Sequence, residues 1–246
     1  MDTILKFTSH HQGKDRVFRA TQFACALSTY LLRTNTDRTK LLSTLKTLEA
    51  NLNAGRKVFR LGNTINSIQA AKRSLQLSDR VLCLCLTAAH VNRALYFFCD
   101  NVLWAKSVGL IRDTNKVSWS TGASRCFLLT LIGSLARDIY VVLQLMVQRA
   151  RDGHFRQKMI RHLNESPQVA EVIVPHLDAF LFLLLESLKS HPAVVLDTVK
   201  NFCDLFSPLD KLGIYPSNSG VVSLCGLVSS VIGIITYVNP SLSIKP

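Results

Sequence analysis

The sequence predicts an all-α membrane protein, with amphipathic helices in its N-terminal part and one or two transmembrane helices after them. Three observations carry this reading. All seven prolines lie at or after Pro167, and proline breaks helix interiors, so the chain before it is free to form long helices. The run from Leu212 to Ile244 holds no charged residue. Hydrophobic residues fill 48% of the 246 positions and mean hydropathy is +0.22, high for a chain that stays in water.

Residues 1–80 read as a basic amphipathic helical region. Val17, Ala20, Ala24, Leu27 and Leu31 recur at helical spacing and predict a helix over 13–33. Leu41, Leu45, Leu48 and Leu52 open a second helix. A third is expected over 53–77. On its wheel Val58, Leu61, Ile65, Ile68 and Leu75 share an arc of about 100°. Arg56 and Arg60 lie opposite, with Lys57 at the border. Such a helix can lie in a membrane interface. Val58, Leu61, Ile65 and Ile68 would then enter the acyl region, and Arg56, Lys57 and Arg60 would meet lipid phosphates. The same stripe also suits a surface helix of a soluble bundle.

Residues 81–105 form an apolar helix and a possible first transmembrane span. Arg93 and Asp100 are seven residues apart on one face, nearly two turns distant. They are expected to be intramembrane polar residues covered by protein, or packed residues of a bundle. Residues 106–219 read as a helical region with a basic loop at 147–168. Within it, Cys126 to Val147 is expected to be amphipathic, because Arg137-Asp138 interrupts it.

Residues 220–238 read as a C-terminal transmembrane helix, followed by a short tail at 239–246. Nineteen uncharged residues make a helix about 28 Å long, close to the hydrocarbon thickness. Tyr215 and Tyr237 sit near its ends, as interfacial aromatics do. Gly226, Ser229, Ser230 and Gly233 place small residues on adjacent turns. They suit helix self-association in lipid, and equally the ordinary glycine content of membrane helices.

The net charge of +13 is uneven. Residues 1–80 carry a balance of +9, residues 81–165 one of +6 and residues 166–246 one of −2. A basic region seeks a polyanion, either nucleic acid or an anionic membrane. The hydrophobic C-terminal third favours anionic membrane lipids and argues against nucleic acid. Seven cysteines at irregular spacing do not form a disulfide framework and fit a reducing compartment. Residues 1–12 lack the apolar core of a secretory signal, so targeting is expected to be internal. No phosphate-binding loop, dinucleotide fingerprint, zinc-protease motif or nucleophile elbow occurs. No catalytic residue, metal ligand or cofactor is therefore expected.

Four segments carry a resemblance when taken together. They are Gly55-Arg-Lys-Val-Phe-Arg-Leu-Gly-Asn63; Asn92-Arg-Ala-Leu-Tyr-Phe-Phe-Cys-Asp-Asn-Val-Leu-Trp-Ala105; Asp197-Thr-Val-Lys-Asn-Phe-Cys-Asp204 with Pro208-Leu-Asp-Lys-Leu-Gly213; and Gly226-Leu-Val-Ser-Ser230. With Met1-Asp2 and Phe18-Arg-Ala-Thr-Gln22, the chain resembles the peroxisomal membrane protein 11 (peroxin-11) family along its whole length. Leu212-Gly-Ile-Tyr215 and a basic stretch at 147–168 without Gly-rich filler resemble the alpha-type members.

The resemblance implies an integral protein of the peroxisomal membrane with both termini in the cytosol. It implies that the chain elongates and tubulates that membrane before division. It also implies self-association and association with related family members. Further implied partners are the import receptor for peroxisomal membrane proteins and the fission adaptor and dynamin-like GTPase machinery. A different reading of the same residues is a membrane channel or metabolite pore, with Arg93 and Asp100 in the lumen.

Overall fold

The computed structural model describes residues 11–33, 39–113, 115–152, 173–242 and 244. Among these residues there are eight α-helices and no strand. They are α1 (His11–Leu31), α2 (Thr39–Phe59), α3 (Asn63–Ser74), α4 (Arg80–Ser107), α5 (Lys116–Arg151), α6 (Ile173–Ser190), α7 (Pro192–Lys211) and α8 (Ser219–Val238). A short 3-10 turn, Pro240–Leu242, follows.

The helix ends have local causes. The Asp79 carboxylate accepts the N–H groups of Val81 at 2.9 Å and Leu82 at 3.2 Å and so starts α4. Asn115 does the same for Val117 and Ser118 of α5, and Asn218 for Gly220 of α8. Each side chain satisfies donors that a helix start leaves unpaired. Two helices close alike. Gly109 and Gly213 take positive φ values of 82° and 70°. The next N–H reaches back to close the turn, Leu110 to the Ala105 carbonyl at 3.0 Å and Ile214 to the Leu209 carbonyl at 3.1 Å. Glycine adopts that backbone without a Cβ penalty.

The helix expected over 53–77 is divided. Residues 53–59 finish α2, residues 60–62 form a turn, and α3 begins at Asn63. The bonds there run three residues back, Arg60 N–H to Lys57 and Asn63 N–H to Arg60, which tightens and ends a helix. Gly62, with no side chain to stiffen the turn, precedes the restart.

Helices α4 and α5 pack as an antiparallel pair, and so do α1 and α2. α3 lies on α4, α7 on α5, and α8 between α1 and α7. The contacts fix the directions. Gly133 of α5 meets Ala89 of α4, Arg137 of α5 meets Asp197 of α7, and Gly233 of α8 meets Arg16 of α1. The starts of α1 and α4 and the end of α8 therefore lie toward one end of the bundle.

Three helices are long and apolar enough to cross a membrane: α4, α5 and α8. The expected spans at 81–105 and 220–238 fall inside α4 and α8. α5 is an addition to the sequence reading. Its obstacle was Arg137-Asp138, and the structure supplies the missing partners from the side. Arg137 donates to Asp138 at 2.9 Å and reaches Asp197 on α7. Asn201 of α7 donates to Asp138 at 2.8 Å. Charges matched by a neighbouring helix do not have to face lipid. α5 also continues through Arg151, so residues 147–151 are helical where a loop is expected from 147. Residues 153–168 of that basic stretch lie outside the described residues, as does part of the tail.

Close helix approach depends on glycine. A Cβ added at Gly133 would stand 3.2 Å from both the Ala89 side chain and the Cys85 carbonyl oxygen. One added at Gly226 would overlap the Phe23 ring, and one at Gly220 the Tyr30 ring. Overpacking of this kind costs about 1–3 kcal/mol. Gly226→Ala should therefore lower the thermal stability of the full chain in detergent, and a second change, Phe23→Leu, should restore part of the loss.

Asp79 supplies a pH-dependent prediction. The Leu82 N–H, the Tyr140 hydroxyl and the Val81 N–H hold its carboxyl below the usual value. A depressed carboxyl stabilises the fold above its unfolded pKa of about 3.9, and the effect is lost as pH falls through the folded value. Asp79→Ala should lower the melting temperature at pH 7, and the gap to wild type should narrow below about pH 4.

Candidate functional site: a charged interior behind an apolar exterior

The helices sort their side chains in the reverse of the soluble pattern. On α8 the buried residues include Ser223, Gly226, Ser229, Ser230 and Gly233. Val221, Leu224, Val228, Val231 and Ile235 point outward. Leu84, Val91, Leu95 and Phe98 are exposed on α4, as are Leu129, Ile132, Ile139 and Leu143 on α5. Water would not tolerate so wide an apolar exterior. A bilayer favours it, because lipid tails solvate large apolar side chains while small and polar ones hold helices together.

The interior holds charge. Arg56 of α2 donates through Nε to Asp15 of α1 at 3.0 Å and through Nη1 to Gln22 at 2.7 Å. Arg60 follows one turn later. It approaches Asp15 at 3.3 Å and Asp100 of α4 at 3.1 Å, and donates to the Tyr96 hydroxyl at 2.7 Å. The Arg60–Asp100 contact is an ion pair without hydrogen-bond alignment at Asp100 Oδ2. Lys57 stands 3.8 Å from Asp100. Arg19 of α1 pairs with Asp204 of α7, and Arg16 donates to the Gly233 carbonyl and lies over the Tyr237 ring. Burial and the neighbouring Arg60 bring Arg56 down to about 10, still charged at neutral pH.

These contacts locate every residue singled out from the sequence. Val58, Leu61, Ile65 and Ile68 are all exposed, at 48%, 37%, 64% and 57%, so they form one outward row across the α2–α3 turn. Arg56 and Arg60 are buried at 9% and 6%. They face the bundle and its carboxylates, not a phosphate surface, and this corrects the placement expected of them. Lys57 is largely turned the same way. On α3 the cations that remain exposed are Lys72 and Arg73.

Arg93 and Asp100 both face inward and do not pair with each other. Asp100 joins the Arg60 cluster, while Arg93 lines a cavity of about 300 Å³ with Asp15, Arg16 and His90. Gly226, Ser229, Ser230 and Gly233 lie together on one buried face. α1 covers that face through Phe23 and Arg16. The surface expected for self-association is thus occupied within the chain. Among the described residues no group of His, Cys, Asp and Glu is arranged to hold a metal ion.

A charged interior, an apolar exterior and three helices of membrane-crossing length describe an integral membrane protein, and comparison with known proteins gives its kind. Residues 1–238 match the family model described as Peroxisomal biogenesis factor 11 (PEX11). The chain belongs to the PEX11 family. Peroxisomal membrane protein 11A of Mus musculus is 48% identical over 247 residues, covering 100% of this chain and 99% of the relative. The Homo sapiens 11A protein is 45% identical over 248 residues with the same coverage. Peroxisomal membrane protein 11B of Homo sapiens is 39% identical over 259 residues, covering both chains fully. No solved structure matches. As a PEX11 protein the chain is a peroxisomal membrane protein involved in peroxisome biogenesis.

Sequence reasoning missed the acidic half of the interior. Asp197, Asn201 and Asp204 recur at four and three residues, which puts them on one face of α7, and that spacing was the available signal. Its partners, Arg137 and Arg19, lie 60 and 185 residues away. Breaking a buried pair leaves one charge stranded and costs about 3–5 kcal/mol. Asp100→Ala should destabilise the PEX11 fold by about that amount in a chemical-denaturation measurement. The matched change Arg60→Met with Asp100→Leu should recover most of it.

Proposed function

We propose that this PEX11 protein elongates and tubulates the peroxisomal membrane, and thereby promotes peroxisome division and proliferation, with no enzymatic step. The observation that carries the reading is the outward row Val58, Leu61, Ile65 and Ile68, extended by Leu75 at 62% exposure. Inserted from the cytosolic side, this row adds volume unevenly across the bilayer and so favours curvature. The exposed Lys72 and Arg73 then meet lipid phosphates beside it.

The wedge is not a loose helix. Ser67, Ala71 and Ser74 of α3 are buried, and Ser74 shares a 2.8 Å hydrogen bond with Thr87 of α4. Asn101 of α4 donates to the Leu61 carbonyl at 3.2 Å. The apolar row is thus fastened to a membrane-crossing helix. Both chain ends are assigned to the cytosol, supported by the common end of the bundle at which α1 starts and α8 finishes. Self-association, with copies and with family relatives, belongs to the same reading and must use outward faces, because α1 covers Gly226 and Gly233. Recruitment of the membrane-protein import receptor, the fission adaptor and its dynamin-like GTPase completes it.

A pore is the second reading, favoured by the two polar cavities that Arg93 and Asp100 line. Reconstitution separates the two. The full chain in liposomes containing anionic phospholipid should draw them into tubules under electron microscopy. Leu61→Glu with Ile65→Glu should abolish tubules while leaving the melting temperature near wild type, since both side chains are exposed. Undiminished tubulation by that variant would refute the remodelling assignment, and a single-channel conductance lost in Arg93→Ala would favour the pore.

A further inference from the structure

A cavity that opens to solvent gathers more positive charge than its carboxylates neutralise. A cavity of about 460 Å³ lies between α1, α2, α4, α5 and α7. Six cations line it: Arg19, Arg56, Lys57, Arg60, Lys116 and Lys211. Two carboxylates line it as well, Asp15 and Asp100. Asp204, which pairs with Arg19, adds a third carboxylate. The excess is three positive charges.

The contacts show where the excess sits. Arg56 and Arg60 use Nε and Nη1 on their protein partners. Neither donates from Nη2 among the described residues. Arg19 Nε is buried with no acceptor. Lys116 and Lys211 stand exposed at the solvent side of the cavity and have no carboxylate within ion-pairing distance among the described residues. Lys211 nevertheless stands in the electrostatic field of Arg56, Lys57 and Arg60, opposed by Asp100. Cations gathered around one cavity repel one another, and an anion that joins them relieves the repulsion. The hydroxyls of Ser120, Ser124 and Ser207 line the same wall and add neutral donors.

We propose that this cavity is a binding site for a phosphate-bearing anion of two or more negative charges. Guanidinium forks with a free terminal nitrogen match phosphate oxygens, and the lysines act as point charges beside them. A single carboxylate would leave most of the excess in place, whereas a doubly or triply charged phosphate removes it. A neighbouring cavity of about 660 Å³ shares Gln22, Phe23, Asn53, Ser207 and Lys211 with this one and offers room for the rest of the molecule. The same chemistry is presented by a free phosphate ester and by a phospholipid headgroup. The site requires neither the remodelling nor the pore activity.

Titration calorimetry of the full-length chain in phosphatidylcholine nanodiscs, with inorganic pyrophosphate as probe, tests the free source. Native mass spectrometry of the chain from nanodiscs containing phosphatidic acid tests the lipid source. Saturable binding in either arm is expected. Lys211→Ala and Lys116→Ala should each weaken it at least tenfold, while Arg151→Ala, outside the cavity, should not. Neither lysine holds an ion pair that the fold needs, and unchanged melting curves will verify this. Pyrophosphate binding assigns a free ester, and lipid retention alone assigns a headgroup. No saturable binding by the wild-type chain in both arms, or binding that survives both lysine variants, overturns the proposal.

Discussion

Arg60 ties three helices together. Its guanidinium lies just past the end of α2 and meets Asp15 of α1 and Asp100 of α4. Arg56 sits one turn earlier on the same face and meets Asp15 as well. A helix is a rigid wheel, so turning these cations inward fixes the direction of every other residue in the segment. Val58 and Leu61 can then point only outward. An apolar exterior at this position is therefore a consequence of satisfying charge in the interior, and it would be lost if the carboxylates were elsewhere.

The same rule governs the three helices long and apolar enough to cross a membrane. Lipid gives helices no hydrophobic reason to associate, so association rests on close packing and on polar contacts. α8 uses both against α1: Gly226 admits Phe23, and the Gly233 carbonyl accepts from Arg16. α5 uses both against its neighbours: Gly133 admits Ala89, and Arg137 and Asp138 find Asp197 and Asn201. Where cations outnumber carboxylates, around the solvent-facing cavity between α1, α2, α4, α5 and α7, the balance is left open.

The sequence makes the elements legible and leaves their orientation hidden. The uncharged run over 220–238 coincides with α8 because nothing but local composition decides it. The partition of 53–77 into apolar and basic sides also emerges from the wheel. Which side meets the protein does not, since a membrane-surface helix and a core helix share one pattern. The decision belongs to Asp100, 40 residues beyond Arg60, and to Asp15 in an earlier helix. The helix over 126–147 was legible, but its capacity to cross a membrane as part of α5 was hidden for the same reason. Arg137-Asp138 looks prohibitive in lipid until Asp197 arrives from 60 residues away. The break at 60–62 left a weaker trace, a lone glycine inside an otherwise continuous stripe.

Long-range satisfaction of charge also bears on how force could pass through the molecule. α1 and α2 do not complete themselves. Arg19 needs Asp204 of α7, Arg16 needs the α8 backbone, and Arg60 needs Asp100 of α4. A peptide containing these helices alone would strip Arg16 and Arg19 of their partners, leave Arg60 with Asp15 only, and would be free to turn either face to the membrane. In the whole chain the apolar row has one orientation and a fixed depth relative to α4. A loose amphipathic helix can tilt or slide to relieve the strain it creates in a leaflet, whereas a row fastened to a pair of helices long and apolar enough to cross a membrane cannot. On the proposed remodelling reading, curvature is then the remaining way for the bilayer to relax, and the buried ion pairs, rather than the apolar residues alone, would make the outward row an effective wedge.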